Sequence, residues 1–107
     1  MSKVWYAVTA TLPNPALAEE YLAWLEGGHV EQVLKCGAHA ASIVVLEPPP
    51  GEDPARATPR IMTQYIFSTS ELFDEYVEHH APALRAEGVQ KFAARGVNFE
   101  RHLGHIV

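Results

Sequence analysis

The chain has 107 residues, of which 48% are hydrophobic and 20% charged, a composition typical of one globular domain spanning residues 1–107. Thirteen acidic against eight basic residues give a formal net charge of −5, which argues against nucleic acid or an anionic membrane as the partner. The single cysteine excludes an intramolecular disulfide, no apolar run reaches membrane-spanning length, and a cytoplasmic protein is expected.

The first half of the chain predicts a strand, two helices and a second strand. Residues 3–12 alternate with a period of two and are rich in β-branched and aromatic side chains, as in a strand. Asn14 and Pro15 then supply a helix N-cap and a first-turn proline, and a pair of glycines ends that helix. The predicted segments are a strand over 3–12, a helix over 15–26, a shorter helix over 29–35 and a strand over 39–47.

The second half predicts a loop, a strand, a helical region and a last strand. Residues 48–59 hold five of the eight prolines and predict an exposed loop between two strands. A helix entry follows at 68–71, Pro82 marks the first turn of a continuation, and Gly88 is expected to bend or break that continuation. The predicted segments are a strand over 60–68, a helical region ending at Gly96 and a strand over 97–106.

The element order β-α-β-β-α-β predicts an α+β protein with a ferredoxin-like, four-stranded antiparallel sheet and helices on one face. The other face would carry Trp5, Ile43 or Val44, and Ile66, which is too apolar a set to leave in water. Burying ~700 Å² per subunit at about 25 cal/mol per Å² would contribute roughly 15 kcal/mol. A homodimer formed through the sheet faces is therefore predicted.

Two stretches carry a resemblance to a known family, residues 21–37 (YLAWLEGGHVEQVLKCG) and residues 80–85 (HAPALR). Over nearly its whole length the chain resembles DUF4286, a small family of the dimeric α/β-barrel superfamily. The resemblance implies a ferredoxin-like fold dimerised through its sheets. It implies no single reaction, because the superfamily includes cofactor-free monooxygenases, isomerases, haem-binding members and ligand-binding modules. The insert at 48–59 and the histidines at 102 and 105 depart from the family pattern.

Five residues form the candidate site. His29 should lie near the start of a short helix, where the helix dipole would lower its pKa and leave a neutral imidazole able to act as a general base. The resemblance implies a similar role, since some dimeric α/β-barrel proteins carry a functional histidine after the first helix. Tyr6, Tyr65 and Trp24 would line an aromatic pocket between sheet and helices, with His80 at its edge. The competing interpretation is a capping histidine and ordinary core aromatics.

No metal site and no cofactor are predicted. Adjacent helical side chains point about 100° apart, so His79 and His80 do not chelate one ion together. His102 and His105 are three apart and fall on opposite faces of a strand. Haem or metal binding through one histidine is a weaker third hypothesis. Two further sets are predicted to be structural rather than functional, a buried thiol at Cys36 and a solvated basic face formed by Arg85, Lys91, Arg95 and Arg101.

These features predict a small homodimeric protein that binds a small aromatic or hydrophobic ligand between sheet and helices. It would resemble a cofactor-independent monooxygenase or isomerase, although whether it is an enzyme is left open. The alternative is a non-catalytic dimerisation or regulatory module with a fully packed core. A cavity of about 300 Å³, with His29 and a phenol directed into it, would favour ligand binding, whereas a filled core would favour the module.

Overall fold

A four-stranded antiparallel sheet forms the centre of the fold in the computed structural model, which describes residues 3–107. The strands are β1 (Lys3–Thr11), β2 (Ala40–Val45), β3 (Arg60–Phe67) and β4 (Asn98–Ile106). They lie in the order β2-β3-β1-β4, so that β1 and β3 are central and β2 and β4 are the edges. This is the ferredoxin-like arrangement that the element order predicted.

Four helices connect the strands and cover one face of the sheet. They are α1 (Pro15–Trp24), α2 (Val30–Lys35), α3 (Ser70–His79) and α4 (Ala81–Phe92). The predicted helix entries are confirmed by their hydrogen bonds. The Asn14 Oδ1 atom accepts from the Leu17 N–H at 2.8 Å, and the Thr69 Oγ1 atom accepts from the Leu72 N–H at 3.2 Å. Each bond satisfies one backbone donor that a helix start leaves without an intrahelical partner.

One helix break falls at the glycine pair where the sequence predicted it, and a second falls at a different residue from the one predicted. After α1 the chain makes one wide turn, Leu25–His29, in which Gly28 has φ +138° and interrupts the helical path. The second break falls at His80, between α3 and α4, rather than at Gly88. Pro82 explains that position, because a proline ring clashes with the carbonyl four residues earlier and so belongs in a first turn. The helix α4 continues through Gly88 without interruption.

The core lies between the sheet and the helices and consists of two clusters of buried side chains. One cluster centres on Tyr6, Tyr65 and Phe67 of the sheet, packed against the aromatic residues of α3. The other centres on Ala10 and Ile61, packed against α1 and the end of α4. Alternate residues of β1 and β3 supply both clusters, as the two-residue period of those strands predicted.

The opposite face of the sheet carries no helix within residues 3–107, and its side chains are mixed in character. Trp5 lies beside Ile66 on the neighbouring strand, and Val44 belongs to the same face, whereas Ile43 faces the helices. The Trp5 indole N–H donates to the Gln64 Oε1 atom at 3.0 Å. A largely polar row crosses this face, in the strand order Ser42, Gln64, Ala7 and His102. The face is therefore less uniformly apolar than the sequence analysis expected.

Candidate functional site

A cavity of about 40 Å³ lies between the helix layer and the sheet. From the sheet it is lined by Tyr6, Val8, Thr63, Tyr65, Phe99 and Arg101. From the helices and the turn after α1 it is lined by Tyr21, Trp24, His29, Tyr76, Ala81, Leu84, Arg85, Gly88 and Val89. Segments far apart in the chain therefore meet at one place, and most of the side chains they supply are aromatic or polar.

Four of the five predicted site residues line this cavity, namely Tyr6, Trp24, His29 and Tyr65. The structure places His80 elsewhere. It borders a separate surface groove that also contains Cys36 and Leu84. The reason is the break between α3 and α4, because His80 is the junction residue and does not continue the inward-facing stripe of α3.

The turn after α1 positions His29. Because Gly28 adopts φ +138°, a value that L side chains rarely reach, the helical path is kinked between Trp24 and α2. The His29 imidazole then stacks on the Trp24 indole, with ring centroids 4.0 Å apart and 23° between the planes. The indole and the imidazole together form part of the cavity wall on the helix side.

Gly88 allows α4 to approach Trp24 closely. A Cβ atom at position 88 would lie 3.2 Å from Cη2 of the Trp24 ring, closer than ordinary van der Waals contact. One residue earlier, the Glu87 Oε1 atom accepts a hydrogen bond from the Trp24 indole N–H at 3.2 Å. The glycine in α4 therefore serves close packing, not the bend that the sequence analysis expected.

Burial gives His29 a neutral imidazole. Removal from solvent lowers its pKa below the ordinary value of 6.5, and the negative charge of Glu87 opposes this shift in part. The direction is the one predicted from the sequence, but the cause that the structure shows is burial, whereas the prediction invoked the helix dipole. The Nδ1 atom of the ring is buried and has no hydrogen-bond partner among residues 3–107.

Four tyrosines surround the same space. Tyr6 and Tyr65 are direct partners across β1 and β3, with ring centroids 6.2 Å apart. Burial raises the pKa of Tyr21 to about 12 and also raises the pKa of Tyr65 and of Tyr76, so these hydroxyls stay protonated near neutral pH. The Tyr65 Oη atom, like His29 Nδ1, is buried without a hydrogen-bond partner of ordinary geometry in the described part of the chain. The neighbouring Thr63 hydroxyl, which donates to the Val8 carbonyl at 3.3 Å, opposes the rise in the pKa of Tyr65 in part.

Five polar lining residues are not among those predicted from the sequence: Tyr21, Thr63, Tyr76, Arg85 and Arg101. The two arginines had been assigned to a solvated face. A signal for Arg101 was nevertheless present, because the alternation of β4 puts it on the same side as Phe99, which packs against the core. Arg85 lies beside Leu84 on α4 and reaches the cavity from the helix side, a position that periodicity alone did not single out.

The side chains of the site can supply proton transfer and hydrogen bonding. No group of three His, Cys, Asp or Glu side chains within residues 3–107 is placed to hold a metal ion. A neutral imidazole can accept or donate a proton, tyrosine hydroxyls can donate hydrogen bonds, and guanidinium groups can bind an anion. In the same described residues, no helix is both long enough and apolar enough to cross a membrane.

A four-stranded antiparallel sheet with paired helices on one face defines this chain as a ferredoxin-like protein. Residues 3–106 match the model of the family described as "Domain of unknown function (DUF4286)", and the chain belongs to that family. The resemblance stated from the sequence is thereby confirmed. A comparison with curated proteins found no match.

Solved structures share the fold at low sequence identity. A dimeric ferredoxin-like protein from an uncultured marine organism has a TM-score of 0.76 and 15% identity, covering 100% of this chain and 97% of its own. An ethyl tert-butyl ether d (EthD) family protein from Bacillus halodurans has a TM-score of 0.67 and 12% identity, covering 96% and 99%. A DABB family protein with a ferredoxin-like fold from Mesorhizobium loti has a TM-score of 0.62 and 12% identity, covering 100% and 99%. These likenesses show the fold alone.

Proposed function

We propose that this protein binds a small organic ligand in the cavity between sheet and helices, and that it does so as a homodimer. The observation that carries the proposal is the pair of unsatisfied polar atoms at the cavity, His29 Nδ1 and Tyr65 Oη. A buried polar group without a partner costs about 1–3 kcal/mol. Two such groups around one cavity are accounted for if a bound molecule supplies the missing hydrogen bonds.

The chemistry proposed for the site is proton transfer by the protein's own side chains. His29 is neutral near pH 7 because burial lowers its pKa, so it can take a proton from a bound substrate. A protonated tyrosine such as Tyr65 can donate a hydrogen bond to an oxygen on which negative charge develops. This combination suits an isomerase or another cofactor-independent reaction, with His29 as the general base and Tyr6, Trp24 and Tyr65 holding the ligand.

The small size of the cavity favours a second candidate, a non-catalytic dimerisation module. A volume of about 40 Å³ holds a few water molecules rather than an aromatic ring, and water could satisfy both orphaned atoms. The ligand-binding proposal therefore requires side chains at the cavity mouth to move. Arg85, Arg101 and Val89 line the cavity and are exposed, so their side chains can change rotamer to admit a ligand.

The proposed dimer uses the sheet face opposite the helices. Trp5, Ile66 and Val44 on this face are only partly covered within one chain. A second copy packed against the same face would remove them from water, and the marine structure with this fold is described as dimeric. The polar row through Gln64 would then lie inside the interface, where side chains from the partner or trapped water would have to satisfy it.

A thermal-shift screen against small aromatic and quinone-like compounds tests the ligand-binding function. A compound that binds the folded state at about 100 times its Kd adds about 2.7 kcal/mol of stability and raises the melting temperature by several degrees. The expected result is a compound that stabilises the wild type and the His79→Gln control equally, and that fails to stabilise His29→Gln and Tyr65→Phe. His79 is exposed on α3 and does not line the cavity, so the His79→Gln variant controls for the loss of one imidazole outside the site.

The opposite result identifies the packed module. In that case no compound raises the melting temperature, and Tyr65→Phe unfolds at the same or a higher temperature than the wild type. Such a variant would lose only a hydroxyl that makes no hydrogen bond in the described residues.

A further inference from the structure

We infer that the ligand of this cavity is a small organic carboxylate held by Arg85 and Arg101. The inference rests on the function proposed above and specifies the charge of the ligand. It was not expected from the composition, because a chain with a net charge of −5 is a poor general attractor of anions.

The charges at the cavity are opposite in sign to those of the whole chain. The protein has 13 acidic residues, yet among the described residues none that lines the cavity is an aspartate or a glutamate. The two formally charged residues of the lining are Arg85 and Arg101. The lining itself therefore carries positive formal charge on an acidic protein, while the Glu87 carboxylate lies behind it, hydrogen-bonded to the Trp24 indole.

Both guanidinium groups are available to a ligand. Arg95, by comparison, is occupied by a two-pronged ion pair with Glu20, at 2.8 and 2.6 Å. Neither Arg85 nor Arg101 forms an ion pair or a side-chain hydrogen bond with any part of the chain that the structure describes. Arg85 comes from α4 and Arg101 from β4, so the two groups reach the cavity mouth from the helix layer and from the sheet.

The two arginines line the same cavity as Tyr21 and Tyr76. The positive charge of Arg101 acts on Tyr21, and that of Arg85 acts on Tyr76, in each case opposing the rise in pKa that burial causes. An anion bound between the guanidinium groups would therefore have phenolic O–H donors close by. Charge-assisted hydrogen bonds from arginine combined with neutral donors form a suitable site for an oxyanion.

The remainder of the lining indicates that the anion is organic. Aromatic and aliphatic side chains such as Trp24, Phe99 and Leu84 form much of the wall. An inorganic ion would gain nothing from these surfaces, whereas the apolar body of a carboxylic acid would bury area against them. A planar carboxylate also matches the fork of a guanidinium group, which can bind both oxygens at once.

The two tryptophans allow a direct test by nuclear magnetic resonance. The Trp24 indole lines the cavity, while Trp5 lies on the opposite face of the sheet, so their N–H signals report binding at the site and elsewhere in one titration. Trp5→Phe assigns the two signals. The probes are acetate, propionate and benzoate, each paired with its neutral amide, acetamide, propionamide or benzamide, at equal ionic strength.

The expected result is that carboxylates shift the Trp24 signal at about tenfold lower concentration than the matching amides, with the Trp5 signal unchanged. Arg85→Gln and Arg101→Gln should each remove most of that difference. Lys91→Gln should not, because Lys91 lies on the same helix and carries the same charge but does not line the cavity.

Three outcomes distinguish failure of the inference from failure of the function. If amides bind as tightly as acids, the ligand is not selected by charge, and the inference is overturned while ligand binding stands. If Lys91→Gln weakens carboxylate binding as much as the two arginine variants do, the preference for carboxylates comes from the overall electrostatic field of the protein, and the assignment of the site to Arg85 and Arg101 is wrong. If neither class shifts the Trp24 signal and the thermal-shift screen is also negative, the proposed function itself fails.

Discussion

The His29 imidazole and the Trp24 indole lie almost parallel, 4.0 Å apart, although the two residues are five positions apart in the chain. In a regular α-helix, side chains five positions apart diverge by about 140° around the axis and do not stack. The wide turn at Leu25–His29 makes the contact possible. The geometry of the candidate base thus depends on one backbone irregularity rather than on the regular helices beside it.

Substitution of Gly28 should therefore destabilise the protein more than substitution of the glycine before it. Gly28→Ala forces a side chain into φ +138°, which should lower the free energy of unfolding by about 1–3 kcal/mol. Gly27 does not have a positive φ, and at neither position would an added Cβ come within 4 Å of a residue packed against the turn. Gly27→Ala should be neutral or stabilising by up to about 1 kcal/mol. Urea denaturation of both variants measures the difference, and equal effects would refute the role assigned to the turn.

Enlargement of Gly88 should disturb Trp24. Because an added Cβ would already lie 3.2 Å from the Trp24 ring, Gly88→Val should overpack the α1–α4 contact and cost about 1–3 kcal/mol of unfolding free energy. Ala86→Val on the exposed side of the same helix is the control, since it carries only the lower helix propensity of valine, at most about 0.7 kcal/mol. If the Gly88→Val protein were as stable as the Ala86→Val protein, the Trp24 side chain would be able to move aside at no energetic cost, and the close packing assigned to Gly88 would be wrong.

The burial of His29 predicts a specific dependence of stability on pH. Because the pKa of His29 is lower in the folded protein than the ordinary 6.5, the unfolded chain binds the proton more readily. The free energy of unfolding should therefore be at its full value above pH 6.5 and should fall as the pH is lowered below 6.5 toward the folded-state pKa.

Comparison with His29→Gln isolates this contribution from those of the other histidines. The variant should lose less stability than the wild type between pH 7 and the acid limit of folding, whereas the exposed His79→Gln should follow the wild-type curve. Urea denaturation across this pH range provides the measurement. Parallel curves for the wild type and His29→Gln would mean that the imidazole is solvated in the protein.

Two adjacent valines test the proposed dimer face. Val44 lies on the sheet face without helices, whereas Val45 points to the helix side at the edge of the sheet and is 61% exposed. We expect Val44→Glu to convert a dimer into a monomer in sedimentation experiments, because it would bury a charge in the interface, and Val45→Glu to leave the dimer intact. A wild-type protein that sediments as a monomer at micromolar concentration would contradict the dimer outright.

Regular periodicity explains what the sequence could predict. The alternation of β1 and β3 was sufficient to direct Tyr6 and Tyr65 toward the helices from neighbouring strands, whereas their direct pairing depends on the strand register that the structure shows. The helix caps at Asn14 and Thr69 were readable for the same reason, since a cap is a local arrangement of a few residues. These features follow from neighbours in the chain.

The rest of the site depends on contacts and backbone angles that no local pattern contains. The φ of Gly28 and the close approach of Gly88 to Trp24 are set by the packing of one helix on another. The prediction placed His80 at the pocket because it assumed a continuous apolar stripe along one helix up to Gly88. In the structure that helix ends at His79, and His80 is the junction before α4. Arg101 was overlooked because its charge indicated solvent, although its place in the alternation of β4 indicated the helix side.

The two outer strands restrict how copies of this protein can associate. An uncovered edge strand can template a further strand from another molecule, which extends into an open-ended ribbon. Here β4 carries Glu100, Arg101 and His102 at its centre, and β2 has only six residues and ends shortly before three consecutive prolines at 48–50. The charged residues of the edge strand β4 and the prolines that follow the edge strand β2 both disfavour the addition of further strands. The protein can therefore carry a partly apolar sheet face and still resist fibrous aggregation.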